Sequence, residues 1–496
     1  MGIIIRQSII STIISYVGVV IGYITLLYLF PKFLEPNQIG LLRTVQDAAI
    51  LFSPFAQFGI TQSIFRYHPQ LAKDKETSAS FISLMLLLSL LGFVIFFVVF
   101  KIFESSFLSY FEKNSKDILQ YASLILWLTL IMMITSVLES FARSILKTIV
   151  PNLLKEVVIR LLFAVLVLLY FKGVISYNGF IISSVISYIG CLLLLVGYLV
   201  STGDLQLSFK FSNLNQSVLS NMLQYSLLSF AGMAGMIIIG KVDSLMVSSL
   251  IGLAANGIYT TASNMASVIE IPKRALNQLA MPLIARAFEK NNLQEVKTIY
   301  SKTAINQFII GSLLLIGIWV NLDTVFFFMP KREIYEAGKW VVLIVGTGKL
   351  IDMLFGPSSE IIVLSNYYKF NIVLLIFLAF VVVLSNNFLI PMYGINGAAI
   401  GAAAALIIFN SIKYIFIYVK LKMQPFTSST LKVVAISFAT FGLNYLLPKL
   451  HLPFVDMLVR SSIITVFFGV LIYTSNASED GSRIVKKYLD KLFRQN

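Results

Sequence analysis

The sequence predicts an all-α, polytopic membrane protein with about fourteen transmembrane helices. Two features of composition point to this class. Hydrophobic residues make up 58% of the 496 residues and charged residues only 12%, and the mean hydropathy is +0.87, whereas roughly a quarter of the residues are charged in soluble domains. Apolar runs of about 20 residues, the length of a bilayer-crossing helix, recur along the chain instead of the shorter alternating segments of an outer-membrane barrel.

The first apolar run begins almost directly after Met1 and has no A-x-A-like cleavage site. It therefore predicts a retained first span rather than a signal peptide. The later runs are separated by short stretches that contain charged or turn-forming residues. The predicted spans are residues 8–30, 40–64, 80–103, 118–142, 153–171, 179–200, 219–250, 256–285, 303–328, 338–364, 370–390, 395–420, 429–447 and 456–475.

Lysine and arginine are concentrated in every second loop. The richer side includes Lys73, Arg143, Lys297 and the basic tail after span 14, together with Lys413 near the end of span 12. Cytoplasmic loops carry this excess of positive charge, so we predict that both termini are cytoplasmic. The same bias explains the net charge of +15 without a nucleic-acid partner.

Cysteine and histidine offer little chemistry. The single cysteine, Cys191, excludes an internal disulfide. The two histidines, His68 and His451, lie far apart in the sequence and predict no metal site.

Two pairs of similar segments indicate an internal repeat. FLEPNQIGLLRTVQD (33–47) aligns with LIGLAANGIYTTASN (250–264), so that Gly40 matches Gly257, and YNGFIISSVISY (177–188) aligns with INGAAIGAAAAL (395–406). The offset is six spans, an even number, which predicts parallel repeats about an axis along the membrane normal. We expect an N-lobe over 1–205 (spans 1–6), a C-lobe over 206–423 (spans 7–12), and spans 13 and 14 with a basic cytoplasmic tail over 424–496.

Polar side chains form stripes on several predicted spans. A charge at the bilayer centre costs about 2.5–3.5 kcal/mol on insertion scales, so such residues usually face protein or water. Steps of three, four and seven place the stripe residues on one face of each helix. The candidate substrate-binding residues are Arg43, Gln46, Asp47 and Gln57 on span 2, Asn264, Glu270, Arg274 and Asn277 on span 8, and Lys349, Asp352 and Glu360 on span 10.

We predict that the stripes of spans 2 and 8 face each other across a hydrated passage. The alternative is that Arg43 and Asp47 form an i,i+4 pair that only holds helices together. Arg143 and Arg274 also have a simpler interpretation, as residues near cytoplasmic helix ends whose side chains reach toward water.

Catalytic and nucleotide-binding motifs are missing. GMIIIGKV (235–242) approaches a phosphate-binding loop, but Val242 replaces the required serine or threonine. H-E-x-x-H and G-x-S-x-G are absent. We therefore expect a transporter rather than an enzyme, and no cofactor.

Two stretches carry a resemblance to a known superfamily. KVDSLMVSSLIGLAANGIYTTASNM (241–265) resembles the lobe-opening pattern of the multidrug/oligosaccharidyl-lipid/polysaccharide (MOP) exporter superfamily, and PMYGINGAAIGAAAA (391–405) resembles the start of span 12 in its polysaccharide branch. Within that branch the sequence is similar to O-antigen and polysaccharide flippases. The resemblance implies alternating-access transfer of an undecaprenyl-diphosphate-linked oligosaccharide, a repeat unit of O-antigen, capsule or exopolysaccharide. It also implies that the chain lies in a bacterial cytoplasmic (inner) membrane.

The stripe residues fit such a cargo. Arg43, Arg274 and Lys349 suit a diphosphate or acidic sugars, and the amides Gln46, Gln57, Asn264 and Asn277 suit hydroxyl groups. Asp47, Glu270, Asp352 and Glu360 suit charge balance or a coupling ion, with Na⁺ and H⁺ both left open. Beyond the lipid-linked oligosaccharide and the bilayer, the resemblance implies polysaccharide polymerase and assembly proteins as partners.

Three other functions stay open at this point. A cation-coupled multidrug exporter of the same superfamily would favour an acidic, aromatic cavity, and a lipid II flippase would favour one rich in arginine. A membrane glycan ligase or polymerase would need a large outer loop with charged catalytic residues, whereas the longest predicted outer loop, around residues 104–117, is short.

Overall fold

The computed structural model describes residues 2–71, 74–211 and 216–478. Every regular element in this part of the chain is helical, so the predicted all-α class is confirmed. The chain divides into two compact units, Met1–Thr260 and Thr261–Asn496, each of which is described by itself. The expected lobe boundaries after residues 205 and 423 stay predictions.

Unit 1 begins with α1, which continues through one π-helical turn into α2, and its other helices follow with short connections. The bounds are α1 Gly2–Ile24, α2 Phe30–Phe33, α3 Pro36–Gln57, α4 Ile60–Leu71, α5 Lys75–Glu112, α6 Ala122–Ser144, α7 Ile149–Leu153, α8 Ile159–Phe171, α9 Tyr177–Ser201, α10 Gln216–Leu250 and α11 Leu253–Ala266, which runs on into unit 2. A second π-helical turn, Leu154–Val158, joins α7 to α8.

Unit 2 holds the remaining helices, with two long helices near its start and a helical hairpin at its end. The bounds are α12 Glu270–Glu289, α13 Leu293–Phe328, α14 Arg332–Tyr335, α15 Lys339–Leu354, α16 Ser358–Leu364, α17 Tyr368–Tyr393, α18 Ile395–Leu421, α19 Ser428–Leu446 and α20 Pro453–Thr474.

Each predicted span falls on one helix or on a run of contiguous helices. Nine helices in the described residues are long and apolar enough to cross a membrane, or eleven if each of two bent pairs is one span. The chain is therefore a multi-pass membrane protein, and the count of fourteen spans stays a prediction. The basic tail predicted after span 14 lies outside the described residues.

The two bent pairs interrupt the helices that carry polar stripes. α3 and α4 meet at 51°, where Phe58 and Gly59 have φ values of 48° and 75°. α15 and α16 meet at 48°, and Gly356 between them has a φ of 57°. Left-handed residues end a helix because they cannot continue its hydrogen-bond ladder.

The helix starts follow from local sequence. Pro36 opens α3, where its missing N–H costs nothing, and the Glu35 backbone N–H donates to Gln38 Oε1 at 2.9 Å in a capping box. The Asn-Gly stretches of the aligned segments 177–188 and 395–406 both lie at helix starts, in the first turns of α9 and α18.

Arg460 links the two helices of the α19–α20 hairpin by hydrogen bonds. Its side chain is only 6% exposed and donates to both carboxylate oxygens of Asp456 at 3.1 Å. The same guanidinium donates to the Asn444 side-chain and backbone oxygens, at 2.8 and 3.1 Å, and to the Pro448 carbonyl at 3.1 Å. One buried cation therefore holds both helices and the loop between them.

We expect Arg460→Ala to lower the free energy of unfolding by ~3 kcal/mol, because the change removes the cation that pairs with the Asp456 carboxylate and the donor to two backbone carbonyls. Thermal and SDS-induced unfolding of the detergent-solubilised protein measure the loss. Arg332→Ala is the control, because Arg332 forms an exposed i,i+4 pair with Glu336 and such pairs contribute little. Equal stability of the two variants would contradict the role given to Arg460.

Candidate functional site

The polar stripe of α3 meets α10 inside unit 1. The Arg43 guanidinium donates to Gln46 Oε1 at 3.2 Å, one turn further along the same helix. Asp47 is buried, and its Oδ1 accepts a hydrogen bond from Lys241 Nζ at 2.6 Å. The carboxylate of Asp47 is thus neutralised by a lysine from another helix, and the i,i+4 pairing of Arg43 with Asp47 is not the ion pair that forms.

A second arginine approaches the same region from α8. Arg160 donates to Glu156 Oε2 at 2.6 Å and lies within electrostatic range of Arg43. Gly22 of α1 leaves room for the Arg160 side chain, since a Cβ at Gly22 would lie 2.8 Å from Arg160 Nη1. Tyr188 of α9 lies within electrostatic range of Arg43 as well.

These residues form a group that we name the cation cluster of unit 1: Arg43, Arg160, Lys241, Asp47 and Glu156. Three cations face two carboxylates, so the cluster has an excess of one positive charge. Among the described residues, no carboxylate lies within ion-pair distance of Arg43. Arg43, whose hydrogen-bond partner Gln46 is neutral, is therefore the cation of the cluster whose charge is least compensated.

Gln57, the last candidate on α3, lies apart from the cation cluster. It is buried and accepts a hydrogen bond from Ser136 Oγ of α6 at 3.0 Å. Fourteen residues separate it from Arg43, which is about 21 Å along a helix. The structure therefore gives Gln57 a different environment from Arg43, Gln46 and Asp47.

In unit 2 the stripe residues of α12 pair with those of α15. Glu270 Oε2 accepts from Lys349 Nζ at 2.8 Å and lies 3.5 Å from the Arg274 guanidinium. The Arg274 side chain is 73% exposed. Three of the predicted candidates thus form one group with an open side at Arg274.

Asp352 lies deeper in unit 2 and has two partners that were not among the candidates. Lys273 Nζ of α12 forms an ion pair with Asp352 Oδ2, and Asn410 Nδ2 of α18 donates to Asp352 Oδ1 at 2.9 Å. Both members of the ion pair are largely buried, with 17% of the Lys273 side chain and 14% of the Asp352 side chain exposed. Asp352 therefore links α12, α15 and α18.

Glu360 lies within electrostatic range of Lys273 and has Asn277 as its own hydrogen-bond partner. Asn277 Nδ2 donates to Glu360 Oε1 at 2.7 Å, and Gln307 Nε2 of α13 donates to Asn277 Oδ1 at 2.5 Å. Asn264 lies half-buried on α11. Substrate contacts by any of these side chains stay predictions.

Sequence reasoning misplaced one cation and missed several others. Lys413 was expected at a cytoplasmic helix end. The structure instead buries it two turns before the end of α18, where Nζ donates to Ser359 Oγ at 2.9 Å. The signal was its spacing of three residues from Asn410 in an otherwise apolar helix. Lys273 was also detectable, because it shares a helix face with Glu270 and Asn277.

No group of three or more histidine, cysteine, aspartate or glutamate side chains among the described residues is arranged to hold a metal ion. The carboxylates of Glu270 and Asp352 are instead paired with ammonium and guanidinium groups of the chain.

The fold places the protein in a class. It is a multi-pass, all-helical membrane protein with buried ionic groups in each unit, and it has the fold of the MOP superfamily. The chain belongs to the family described as polysaccharide biosynthesis protein, whose model matches residues 4–288. The polysaccharide family that the sequence resembles is thus confirmed, and the fold is the one expected for its superfamily.

Solved structures show the same fold at low sequence identity. The lipid II flippase MurJ in an inward closed conformation is 12% identical with a TM-score of 0.76, covering 94% of this chain and 99% of that chain. A multidrug resistance MATE family transporter in an inward-facing conformation is 15% identical with a TM-score of 0.65, covering 84% and 98%.

A MOP superfamily transporter from Pyrococcus furiosus, described as having a binding pocket of reversed polarity, is 16% identical with a TM-score of 0.58, covering 85% of this chain and 95% of that chain. No curated protein matches the sequence.

Proposed function

We propose that the protein is a flippase that moves an undecaprenyl-diphosphate-linked oligosaccharide from the cytoplasmic to the outer leaflet of a bacterial cytoplasmic membrane by alternating access. The observation that carries the proposal is the cation cluster of unit 1, where Arg43 has a neutral hydrogen-bond partner and the charges sum to an excess of one cation. Membership in the polysaccharide biosynthesis protein family supports the proposed cargo.

The chemistry of the cluster suits a diphosphate. A guanidinium presents five N–H donors in a planar fork that matches two phosphate oxygens at once. Only one bond of Arg43 is taken up by Gln46, so the remaining donors are available to a ligand. The amide of Gln46 and the hydroxyl of Tyr188 add hydrogen-bonding groups suited to the sugar next to the diphosphate.

A multidrug exporter would need a different balance of charge. A cationic drug requires uncompensated carboxylates, whereas Asp47 is paired with Lys241 and Glu156 with Arg160. The excess positive charge of unit 1 therefore favours an anionic cargo.

Complementation of a gene deletion tests the proposal. We expect the deletion to lose surface glycan and to accumulate the lipid-linked intermediate, and wild-type protein to restore both. Arg43→Ala should reduce transport about 10- to 100-fold, because a hydrogen bond to a charged group contributes about 1.5–3 kcal/mol. Arg43→Lys should retain an intermediate level, because it keeps the charge and loses the fork.

Arg332→Ala is the matched control, because Arg332 is an exposed arginine outside the cluster. Wild-type glycan with Arg43→Ala at equal protein levels would remove Arg43 from the site, and normal glycan in the deletion strain would contradict the function. Proteoliposomes that contain an undecaprenyl-diphosphate oligosaccharide, lipid II or ethidium then distinguish the three cargo classes by which probe moves.

A further inference from the structure

Lys413 is a buried lysine that the proposed binding chemistry does not use. Its side chain is only 2% exposed. Nζ donates to Ser359 Oγ at 2.9 Å and lies 4.0 Å from the centroid of the Phe409 ring. A hydroxyl and an aromatic face are weak compensation for an ammonium group that has been removed from water.

No carboxylate of the described residues lies within ion-pair distance of Lys413. Asp352, an acid within electrostatic range of Lys413, is already engaged by Lys273 and Asn410. Lys413 therefore lacks the carboxylate partner that holds the proton on the other buried lysine, Lys273.

Charged groups face Lys413 from three helices. They are Lys273 on α12, Asp352 on α15 and Glu360 on α16. The third helix packed on α18 besides α15 and α16 is α17, and its one charged residue is Lys369 in the first turn. The charge state of Lys413 is therefore set by two acids and one competing ammonium.

Two buried polar atoms beside Lys413 lack hydrogen-bond partners. Asn410 Oδ1, one turn from Lys413 on α18, has none, and neither does Ser358 Oγ, whose neighbour Ser359 accepts from Lys413. An unsatisfied buried polar atom costs about 1–3 kcal/mol. Acceptors of this kind suit a group that changes its number of N–H donors, because the same site must accommodate an ammonium and an amine.

The polar network of unit 2 has one excess positive charge when Lys413 is charged. Its four cations are Lys273, Lys349, Lys413 and Arg274, and its three carboxylates are Glu270, Asp352 and Glu360. Loss of the Lys413 proton leaves three cations and three carboxylates. Exposure rises from Lys413 through Asp352 and Glu270 to Arg274, so the network is closed at one end and open at the other.

We infer that Lys413 carries the proton that drives transport, and that its ammonium group makes a bound metal cation unnecessary. The step breaks one Nζ–H bond, transfers that proton to water at the open end of the network, and leaves a neutral amine. Rebinding a proton from water reverses the step, with one proton per cycle. The inference rests on the proposed function, because it supplies the energy source for that transport.

The first experiment needs no cargo. Trp340 lies on α15, the helix of Lys349 and Asp352, with its ring 5.6 Å from that of Trp319. In a Trp127→Phe background, where these two are the remaining tryptophans, fluorescence of the detergent-solubilised full chain should change in a titration between about pH 5 and about pH 10, a range that covers lysines in buried and in exposed surroundings. Lys413→Arg, always charged, and Lys413→Met, never charged, should both abolish this change.

Lys432→Met is the matched control, because Lys432 is an exposed lysine of α19, and it should keep the response to pH. A structural lysine would shift stability and leave that response in place, so a retained response in both Lys413 variants overturns the inference. A Trp127→Phe background whose fluorescence does not change with pH also overturns the inference. So does a background in which replacing K⁺ with Na⁺ causes the same fluorescence change as protons do. Lys413→Arg keeps the charge and serves as the decisive variant if Lys413→Met does not fold.

The second experiment uses proteoliposomes with an undecaprenyl-diphosphate trisaccharide and an imposed pH gradient. We expect wild-type transport to follow the gradient and to stop with a protonophore, and Lys413→Arg to lose its dependence on the gradient. Transport that is indifferent to the gradient overturns the inference. A wild-type protein that moves no probe at any pH, but shows the fluorescence change, overturns the proposed cargo and leaves Lys413 as the proton-binding residue.

Discussion

Lys273→Met is expected to lower the free energy of unfolding by about 3–5 kcal/mol, the range found when one partner of a buried ion pair is removed. The change leaves the Asp352 carboxylate in the interior with Asn410 as its remaining hydrogen-bond partner. Because Asp352 links α12, α15 and α18, the loss should appear as cooperative unfolding of the whole unit at lower temperature or SDS concentration.

Two further variants show whether the lost stability comes from the unpaired Asp352 carboxylate or from the lost packing of the lysine side chain. The double variant Lys273→Met with Asp352→Leu should recover most of the stability, since an apolar pair of similar volume can replace a buried ion pair. Lys339→Met removes a lysine from a more exposed pair with Asp323 and should cost less than about 1 kcal/mol. Equal losses for Lys273→Met and Lys339→Met would show that the buried pair contributes no more than the exposed one.

Gly40→Ala is expected to prevent the close approach of α3 to the first turns of α11. A Cβ at Gly40 would run into the Leu253 carbonyl and lie 3.1 Å from the Gly257 backbone nitrogen. The obstacle is backbone, which cannot rotate away as a side chain can. Overpacking of this kind costs about 1–3 kcal/mol, and it should also break the Thr44–Ser248 hydrogen bond of 2.6 Å beside it.

We expect Gly40→Ala to lower both the thermal stability of the protein and the amount of surface glycan. Gly257→Ala should match it, because a Cβ there runs into the Pro36 carbonyl and lies 3.2 Å from the Gly40 nitrogen. Gly190→Ala on α9, where nothing lies within 4 Å of the added carbon, should be neutral or stabilising by up to about 1 kcal/mol through helix propensity. The close-packing argument fails if Gly40→Ala behaves like Gly190→Ala.

The reciprocal contact of Gly40 and Gly257 also bears on the repeat. These two residues were aligned from the sequence alone, as equivalent positions six spans apart. The structure brings their backbones together within unit 1. The repeat itself and its boundaries stay predictions.

The helices were predictable because membrane spans obey a strict local rule. A run of about 20 apolar residues in lipid must satisfy its backbone polar groups within itself, and the helix is the one structure that does so within a single segment. Capping residues then set the ends, as at Pro36, so the starts and stops needed no knowledge of the neighbours.

The faces of the helices were predictable in the same way. Residue spacing determines which side chains share a direction around a helix, and it correctly grouped Arg43 with Gln46, and Glu270 with Arg274. Spacing says nothing about which helix lies opposite, and so the partners were missed. Lys241 is 194 residues from Asp47, and Lys273 is 79 residues from Asp352.

The same limit explains the misplaced lysine. From its position along the chain, Lys413 is a cation near the end of a span, where side chains usually reach water. Its burial depends on α15, α16 and α17 packing around α18, and that packing is a property of the assembled unit. Local sequence thus prescribed the helices and the direction of each polar stripe, because both depend on neighbours along the chain. Charge partners and burial came from the packing of helices distant in sequence, since desolvation and pairing depend on what surrounds a side chain in space.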